Sequence, residues 1–284
     1  MQEGNILANI VSMDPTGNTD PKIVKQSIIR LTLHEVGHTL GLNHNFKASH
    51  LHDPISVHDP LITQKSGVTA SVMEYPAVNI APLGVEQGDY YDVVTGAYDN
   101  WAIEFGYTPN LSDQERDQIL FRSDEPELIF GNDADDMRSP GRGIDPRAMT
   151  NDLTNDPITY AVQRIELVNQ TFKELPAKLE AKSWEEFVNA YQTLFRESGR
   201  SLQTVSRFVG GVYVNRSTPD QDSELRPFEP VSEEVQKRAM QVLNDHAFSP
   251  NVFPINEEIL TLIQKERSCL LYTSDAADDM QCVD

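Results

Sequence analysis

Three histidines and a glutamate follow the pattern HExxHxxGxxH between His34 and His44. His34 and His38 are four residues apart, so on a helix both rings point the same way and reach one ion. Gly41 permits a left-handed turn out of the helix, after which His44 completes a set of three nitrogens suited to zinc. Glu35 follows the first histidine, where its carboxylate can take a proton from water activated by the ion.

The residues before the motif predict the helix that presents it. Asp20 and Pro21 form a typical N-cap and first-turn pair, and Gly41 is a natural stop. Between these ends apolar residues recur every few positions, as in a face that packs against a core. This predicted buried face consists of Ile23, Val24, Ile28, Leu31, Val36 and Leu40.

The motif resembles that of the metzincin zinc metallopeptidases, and a second segment agrees with it. Met73 lies in the sequence SVMEYP, 29 residues after His44, where that clan has its Met-turn. The resemblance implies that Met73 forms an apolar floor beneath the zinc ligands. It also implies that Tyr75 stabilises the oxyanion during catalysis, as in the astacin-like and serralysin-like branches. A core or surface tyrosine is the alternative interpretation of this position.

More narrowly, the chain resembles a group of bacterial zinc-dependent metalloproteases described mainly by domains of unknown function. The resemblance rests on HEVGHTLGLNHNFKAS, SVMEYP and YDNWAIEFGY, and by general similarity on segments 132–141 and 226–230. Asn45, directly after the third histidine, differs from the residue of the best-known metzincin branches, so their substrate preferences do not transfer. The resemblance also implies an extracytoplasmic location, either periplasmic or secreted.

The predicted fold is α+β and mostly helical: the C-terminal part of a metzincin-like catalytic domain followed by a helical region. Residues 1–108 would form the catalytic core, with a strand at 6–11 and a helix at 92–105 whose Ala97, Trp101 and Phe105 pack under the Met-turn. The segment 109–155 is rich in Asp, Pro, Gly and Asn and is predicted to be an irregular acidic connector.

The helical C-terminal region is predicted to occupy residues 156–267. Two long helices are expected first, one opening at Asp156-Pro157 and the other at a capping box that begins with Ser183. A strand at 212–214, a helix at 231–245 and a further helix from residue 256 should follow.

Both ends of the chain differ from what the resemblance implies. Residues 1–20 are too few for the sheet with which a metzincin catalytic domain normally begins, so we expect an N-terminally truncated fragment. Residues 268–284 break the preceding helical pattern and look like a translated sequencing adapter, with a genuine acidic tail as the alternative. Cys269 and Cys282 both lie there, so disulfides play no part in the predicted fold.

Two other groups of residues offer ligand atoms. Asp133, Asp135 and Asp136 are candidate calcium ligands because oxygen ligands close in sequence suit that cation, although an ordinary acidic turn is the favoured alternative. The loop at 45–70 contains three histidines that we interpret as exposed loop residues rather than extra ligands. These are His50, His52 and His58.

Charge and hydropathy exclude some classes of partner. The formal net charge of −21 argues against nucleic-acid binding, which requires a basic surface. The sequence has no run of 18 apolar residues that would span a membrane. We therefore expect the partner to be a protein or peptide substrate.

The function predicted from these features is that of a zinc-dependent endopeptidase. His34, His38 and His44 would bind the ion, and Glu35 would act as the general base. A zinc-binding but catalytically inactive fragment or binding module is the first alternative. A zinc hydrolase that acts on other amides or on esters is the second.

Overall fold

The computed structural model describes residues 2–12, 20–136, 143–178, 184–219, 221, 225–250, 252 and 257–263. In these ranges the chain is mostly helical, with one small antiparallel sheet, which confirms the predicted fold class. The predicted artefactual tail at 268–284 lies outside the described residues. The helices are α1 (Gln2–Ser12), α2 (Pro21–Thr39), α3 (Pro60–Ser66), α4 (Ala97–Tyr107), α5 (Asp113–Phe121), α6 (Pro157–Lys178), α7 (Trp184–Ser206), α8 (Glu233–Leu243) and α9 (Glu257–Leu262), and the strands are β1 (Val212–Val214) and β2 (Phe228–Pro230).

The main apolar core lies between α6 and α7, which pack along each other. Val168 and Phe172 of α6 meet Phe187 and Leu194 of α7 in one buried cluster. The prediction of two long helices here is confirmed, and α6 begins at Pro157 as the sequence indicates. The predicted cap of α7 at Ser183 lies outside the described residues.

The N-terminal segment is helical, so the strand predicted at residues 6–11 is wrong. α1 contacts α2, α6 and α7, and it places Leu7, Ala8 and Ile10 in the main core. The apolar residues of ILANIV also recur at helical spacing, and a strand would have needed a partner strand to satisfy its backbone. Packing against three helices therefore determines the conformation.

The buried face of α2 is not the predicted apolar stripe. Ile23 is buried as predicted, but Val24 and Ile28 are 54% and 60% exposed. Leu31, Val36 and Leu40 are also exposed. The helix instead buries a mostly polar face, because the loops that it contacts supply hydrogen-bond partners for that face. This face consists of Ile23, Gln26, Ser27, Arg30, His34 and Gly37.

One predicted boundary after the Met-turn is also wrong, and the segment predicted to be mostly irregular contains one α-helix. The helix expected at 92–105 begins at Ala97 instead, because the buried Asp92 carboxylate accepts hydrogen bonds from the backbone N–H groups of Val68 and Thr69. The connector at 109–155 is not wholly irregular, since it contains α5. This helix opens with a capping box in which the side chains of Ser112 and Glu115 bond reciprocally to the backbone.

The C-terminal region carries the small sheet and the shorter helices. β1 lies at 212–214 as predicted, and it pairs antiparallel with β2, with Tyr213 opposite Glu229. α8 and α9 occupy parts of the predicted helical segments. Within the described ranges, every helix is too short or too polar to cross a membrane.

A buried ion pair links the segment after His44 to the connector and to β1. Lys47 Nζ lies 2.8 Å from Asp145 Oδ2, with only 3% and 2% of the two side chains exposed. Lys47 also donates to the Val214 carbonyl, and Arg147 donates to the same carboxylate. Burial alone would raise the pKa of Asp145, but Arg147 and Lys47 lower it to about 2.

Loss of this cation should destabilise the whole protein. In Lys47→Met the buried Asp145 carboxylate keeps Arg147 but loses its buried partner, so we expect the free energy of unfolding to fall by about 3 kcal/mol. Lys237→Met, which removes an exposed pair with Glu233, is the control and should leave stability unchanged. Denaturant titration measures both, and equal stability of the two variants would contradict the account.

Candidate metal centre

The C-terminal end of α2 and the turn after it bring the three histidines together. His34 and His38 lie one helical turn apart on α2, which ends at Thr39. Gly41 has a φ of 86°, so the predicted left-handed exit from the helix is confirmed. The N–H groups of Gly41 and Leu42 donate to carbonyls of the last helical turn, and this closed turn directs His44 back toward the helix.

The three imidazoles form a cluster that is able to hold one metal ion. Their ring centroids are 4.7 Å apart for His34 and His38, 4.9 Å for His38 and His44, and 5.4 Å for His34 and His44. One ligand atom from each ring lies within 4.8 Å of the others. Among the described residues this is the one group of three or more His, Cys, Asp or Glu that meets this spacing.

The hydrogen bonds of the rings leave one nitrogen of each for the ion. Nδ1 of His34 donates to the Val72 carbonyl at 2.8 Å, and Nδ1 of His38 donates to the Leu42 carbonyl at 3.0 Å. Nδ1 of His44 lies 2.9 Å from Asp133 Oδ2. Nε2 of His34 and Nε2 of His44 are buried and have no hydrogen-bond partner within the described parts of the chain. Unpaired, inward-facing imidazole nitrogens fit a zinc ion.

Burial also favours the protonation state that a metal needs. Desolvation lowers the pKa of His34, and the positive charge of Arg30 acts in the same direction, although the hydrogen bond to Val72 opposes both. A neutral imidazole is the form that binds a metal ion. His34 is therefore held in the ligand-competent form at neutral pH.

Met73 lies directly beneath α2, where the Met-turn resemblance places it. Its side chain is fully buried, and a β-carbon added at Gly37 would overlap its sulfur atom. Gly37 is thus the residue of the HEVGH sequence that allows the methionine to approach the helix. The thioether packs against the backbone of the turn that carries both helical ligands.

The Met-turn is held in place by a carboxylate at the start of α4. Asp99 accepts hydrogen bonds from the Ser71 hydroxyl at 2.6 Å and from the Val72 N–H at 2.9 Å. The contact of α4 with the Met-turn is therefore polar. The prediction that Ala97, Trp101 and Phe105 form a buried stripe is wrong, since Ala97 and Trp101 are partly buried and Phe105 is exposed. The sequence did not reveal the role of Asp99 because its partners Ser71 and Val72 are 28 and 27 residues away along the chain.

A second carboxylate, missed in the sequence, supports the Met-turn from below. Glu74 is fully buried and accepts hydrogen bonds from the backbone N–H groups of Ser49 and Tyr75. Burial and the nearby Asp152 carboxylate raise the pKa of Glu74 well above its usual range. The sequence offered one signal for this role, a charged glutamate in the mostly apolar segment SVMEYP.

Tyr75 contacts two of the histidines, and Glu35 lies next to His34 in the sequence of α2. The Tyr75 ring centroid is 4.9 Å from those of His34 and His44, and its side chain is 37% exposed. Glu35 is exposed on the last two turns of α2, next to His34. A cavity of about 90 Å³ includes Tyr75, Arg30 and Glu197 in its lining.

The other candidate ligands are three aspartates of the connector and three histidines of the loop, most of which have protein partners of their own. Asp133 contacts His44, whereas Asp135 pairs with Arg216 at 2.6 Å. Calcium binding by Asp133, Asp135 and Asp136 stays a prediction. The interpretation of the loop histidines as exposed is wrong, because this segment forms two 3₁₀ turns and α3 and buries its histidine side chains. His50 lies 3.4 Å from the buried Asp152, His52 bonds to the Gly67 carbonyl, and burial lowers the pKa of His58 to about 4.

Comparison with known proteins gives one result. A family model described as Met-zincin matches residues 16–282, which is nearly the whole chain. The searches of curated proteins and of solved structures found no match.

The close approach of Met73 to α2 predicts a sensitive position in the zinc motif. In Gly37→Ala the added methyl group would displace the buried thioether, so we expect weaker zinc binding and a lower melting temperature. Gly106→Ala in α4 is the matched control, because nothing lies within 4 Å of a β-carbon at that position. Zinc titration and thermal unfolding test the pair. Equal effects of the two substitutions would refute the role of Gly37.

Proposed function

Because the chain belongs to the Met-zincin family, we propose that it is a zinc-dependent endopeptidase whose site is centred on His34, His38 and His44. The observation that carries the proposal is the triad itself, in which three imidazoles converge while their Nδ1 atoms are bonded elsewhere. Zinc sites with three protein ligands keep a position open for chemistry. This arrangement supports a catalytic site rather than a closed structural one.

The histidines would hold zinc through Nε2, with their rings oriented by the two backbone carbonyls and by Asp133. When bound, the ion supplies Lewis acidity, which lowers the pKa of a water molecule and polarises the carbonyl of the scissile peptide bond. The rigid turn at Gly41 and the buried Met73 limit the movement of the ligands. Preorganisation of this kind reduces the cost of forming the transition state.

Glu35 is the proposed proton-transfer residue. Its position next to His34 in the sequence and its exposure on α2 support this role. There it would take a proton from the attacking water and deliver that proton to the leaving amine. Both transfers use one carboxylate, so the group returns to its starting state after each turnover.

Tyr75 is the proposed oxyanion donor. Its ring lies against both His34 and His44, and the residue is 37% exposed, which supports this role. A hydroxyl there can donate a hydrogen bond to the oxygen on which negative charge develops. The substrate would be an extended protein or peptide segment.

The role of Glu35 is testable with a substitution that preserves size. Glu35→Gln cannot accept a proton, so we expect kcat for cleavage of an unstructured protein substrate to fall by about 10²–10⁴-fold with zinc content unchanged. Tyr75→Phe should cause a smaller loss, since the ion still polarises the carbonyl. Glu127→Gln, at an exposed site in the connector, is the matched control.

Three results would distinguish the alternatives. Full activity in Glu35→Gln would contradict the mechanism. Stoichiometric zinc in the wild type without cleavage of any peptide would favour the catalytically inactive binding module. Hydrolysis of esters or small amides, without peptide cleavage, would favour a different zinc hydrolase.

A further inference from the structure

We infer that Asp133 of the connector is a positioning residue for the third zinc ligand, and that Asn45 fixes the loop that presents it. The inference rests on the zinc role of His44 proposed above. It concerns the hydrogen bond between Asp133 Oδ2 and His44 Nδ1, whose atoms are 2.9 Å apart although the residues are 89 positions apart in sequence.

The bond determines which nitrogen of His44 faces the ion. A carboxylate only accepts, so Nδ1 carries the proton and Nε2 keeps its lone pair. Nε2 of His44 is buried without a partner among the described residues, and one ligand nitrogen of His44 lies within 4.8 Å of one nitrogen of each other histidine. Asp133 thereby selects the tautomer that binds metal.

His44 needs this support more than the other two ligands. His34 and His38 are held by α2, and their Nδ1–H groups bond to backbone carbonyls close to the helix end or the Met-turn. His44 lies beyond the helix, on a stretch without regular secondary structure. Its ring is oriented by a side chain from another part of the chain.

Asn45 anchors the connector next to His44. Its side chain is fully buried, donates to the Ile129 carbonyl at 3.0 Å, and accepts from the Gly131 N–H at 3.2 Å. The adjacent Phe46 N–H donates to the Gly131 carbonyl at 2.7 Å. These three bonds hold residues 129–131 against the segment that carries the ligand, and Asp133 follows two residues later.

The turn that contains Asp133 is also held by hydrogen bonds among residues 132–135 and by an ion pair. The Ala134 N–H donates to the Asn132 side chain at 2.9 Å, and the Asn132 N–H donates to Asp135 at 3.1 Å. Asp135 is in turn paired with Arg216 at 2.6 Å. The Asp133 carboxylate is 66% exposed, but its backbone is thus fixed on both sides.

Zinc affinity at constant pH tests the inference. Carboxylate partners of zinc-bound histidines typically contribute 10–100-fold to affinity, so Asp133→Ala should raise the zinc Kd, measured against a competing chelator, by about that factor. Asp133→Asn should fall between the two proteins, since an amide oxygen still accepts from Nδ1. Glu127→Gln removes one exposed acidic charge from the same connector and should leave the Kd unchanged.

The tautomer of His44 provides a second readout in the metal-free protein. Long-range ¹H–¹⁵N spectra should show His44 protonated at Nδ1 in the wild type and a mixture of tautomers in Asp133→Ala. Zinc binding that is equally tight in the wild type and Asp133→Ala, or an unchanged tautomer, would overturn the inference. If the wild type bound no zinc, the proposed function would fail, while the tautomer measurement would still decide the role of Asp133.

Discussion

The structure around the metal centre depends on the burial of a polar helix face. Arg30 donates to the Glu74 carbonyl, His34 donates to the Val72 carbonyl, and Gln26 bonds to both Asp89 and the Tyr90 N–H. Because buried polar groups must be paired, these bonds fix α2 relative to the Met-turn and the loop after it. The position of His34 is therefore set by the same contacts that hold the Met73 segment against α2.

The metal centre is assembled from three distant parts of the sequence. α2 carries His34 and His38, the segment with Met73 packs against α2 and supplies the Val72 carbonyl, and the connector reaches back to His44. Lys47 and Asp145 tie the same connector to β1, so the C-terminal region is coupled to the segment after His44 by a buried charge pair. A change in the connector would thus act on the site through the Asp133–His44 and Asp145–Lys47 contacts, although no connector residue belongs to the zinc motif.

The sequence predicted the features that depend on the spacing of residues in a motif. It failed where contacts with distant segments determine which residues are buried. The HExxHxxGxxH pattern predicted the convergence of His34, His38 and His44 and the turn at Gly41, and Asp156-Pro157 predicted the start of α6. The buried face of α2 was mispredicted because an apolar stripe indicates burial only when the partner surface is apolar, and the partner here offers carbonyls and carboxylates. Asp99 and Glu74 could not be identified as supports of the Met-turn, since their roles arise from contacts remote in sequence.

The most direct test of the central claim is the zinc content of the purified protein after exhaustive dialysis against metal-free buffer. The account predicts one zinc ion per chain in the wild type, and close to none in His38→Ala if that variant retains its helical circular dichroism. A folded wild-type protein without zinc would contradict the claim that His34, His38 and His44 form a metal site. Equal zinc content in the wild type and His38→Ala would contradict it as well.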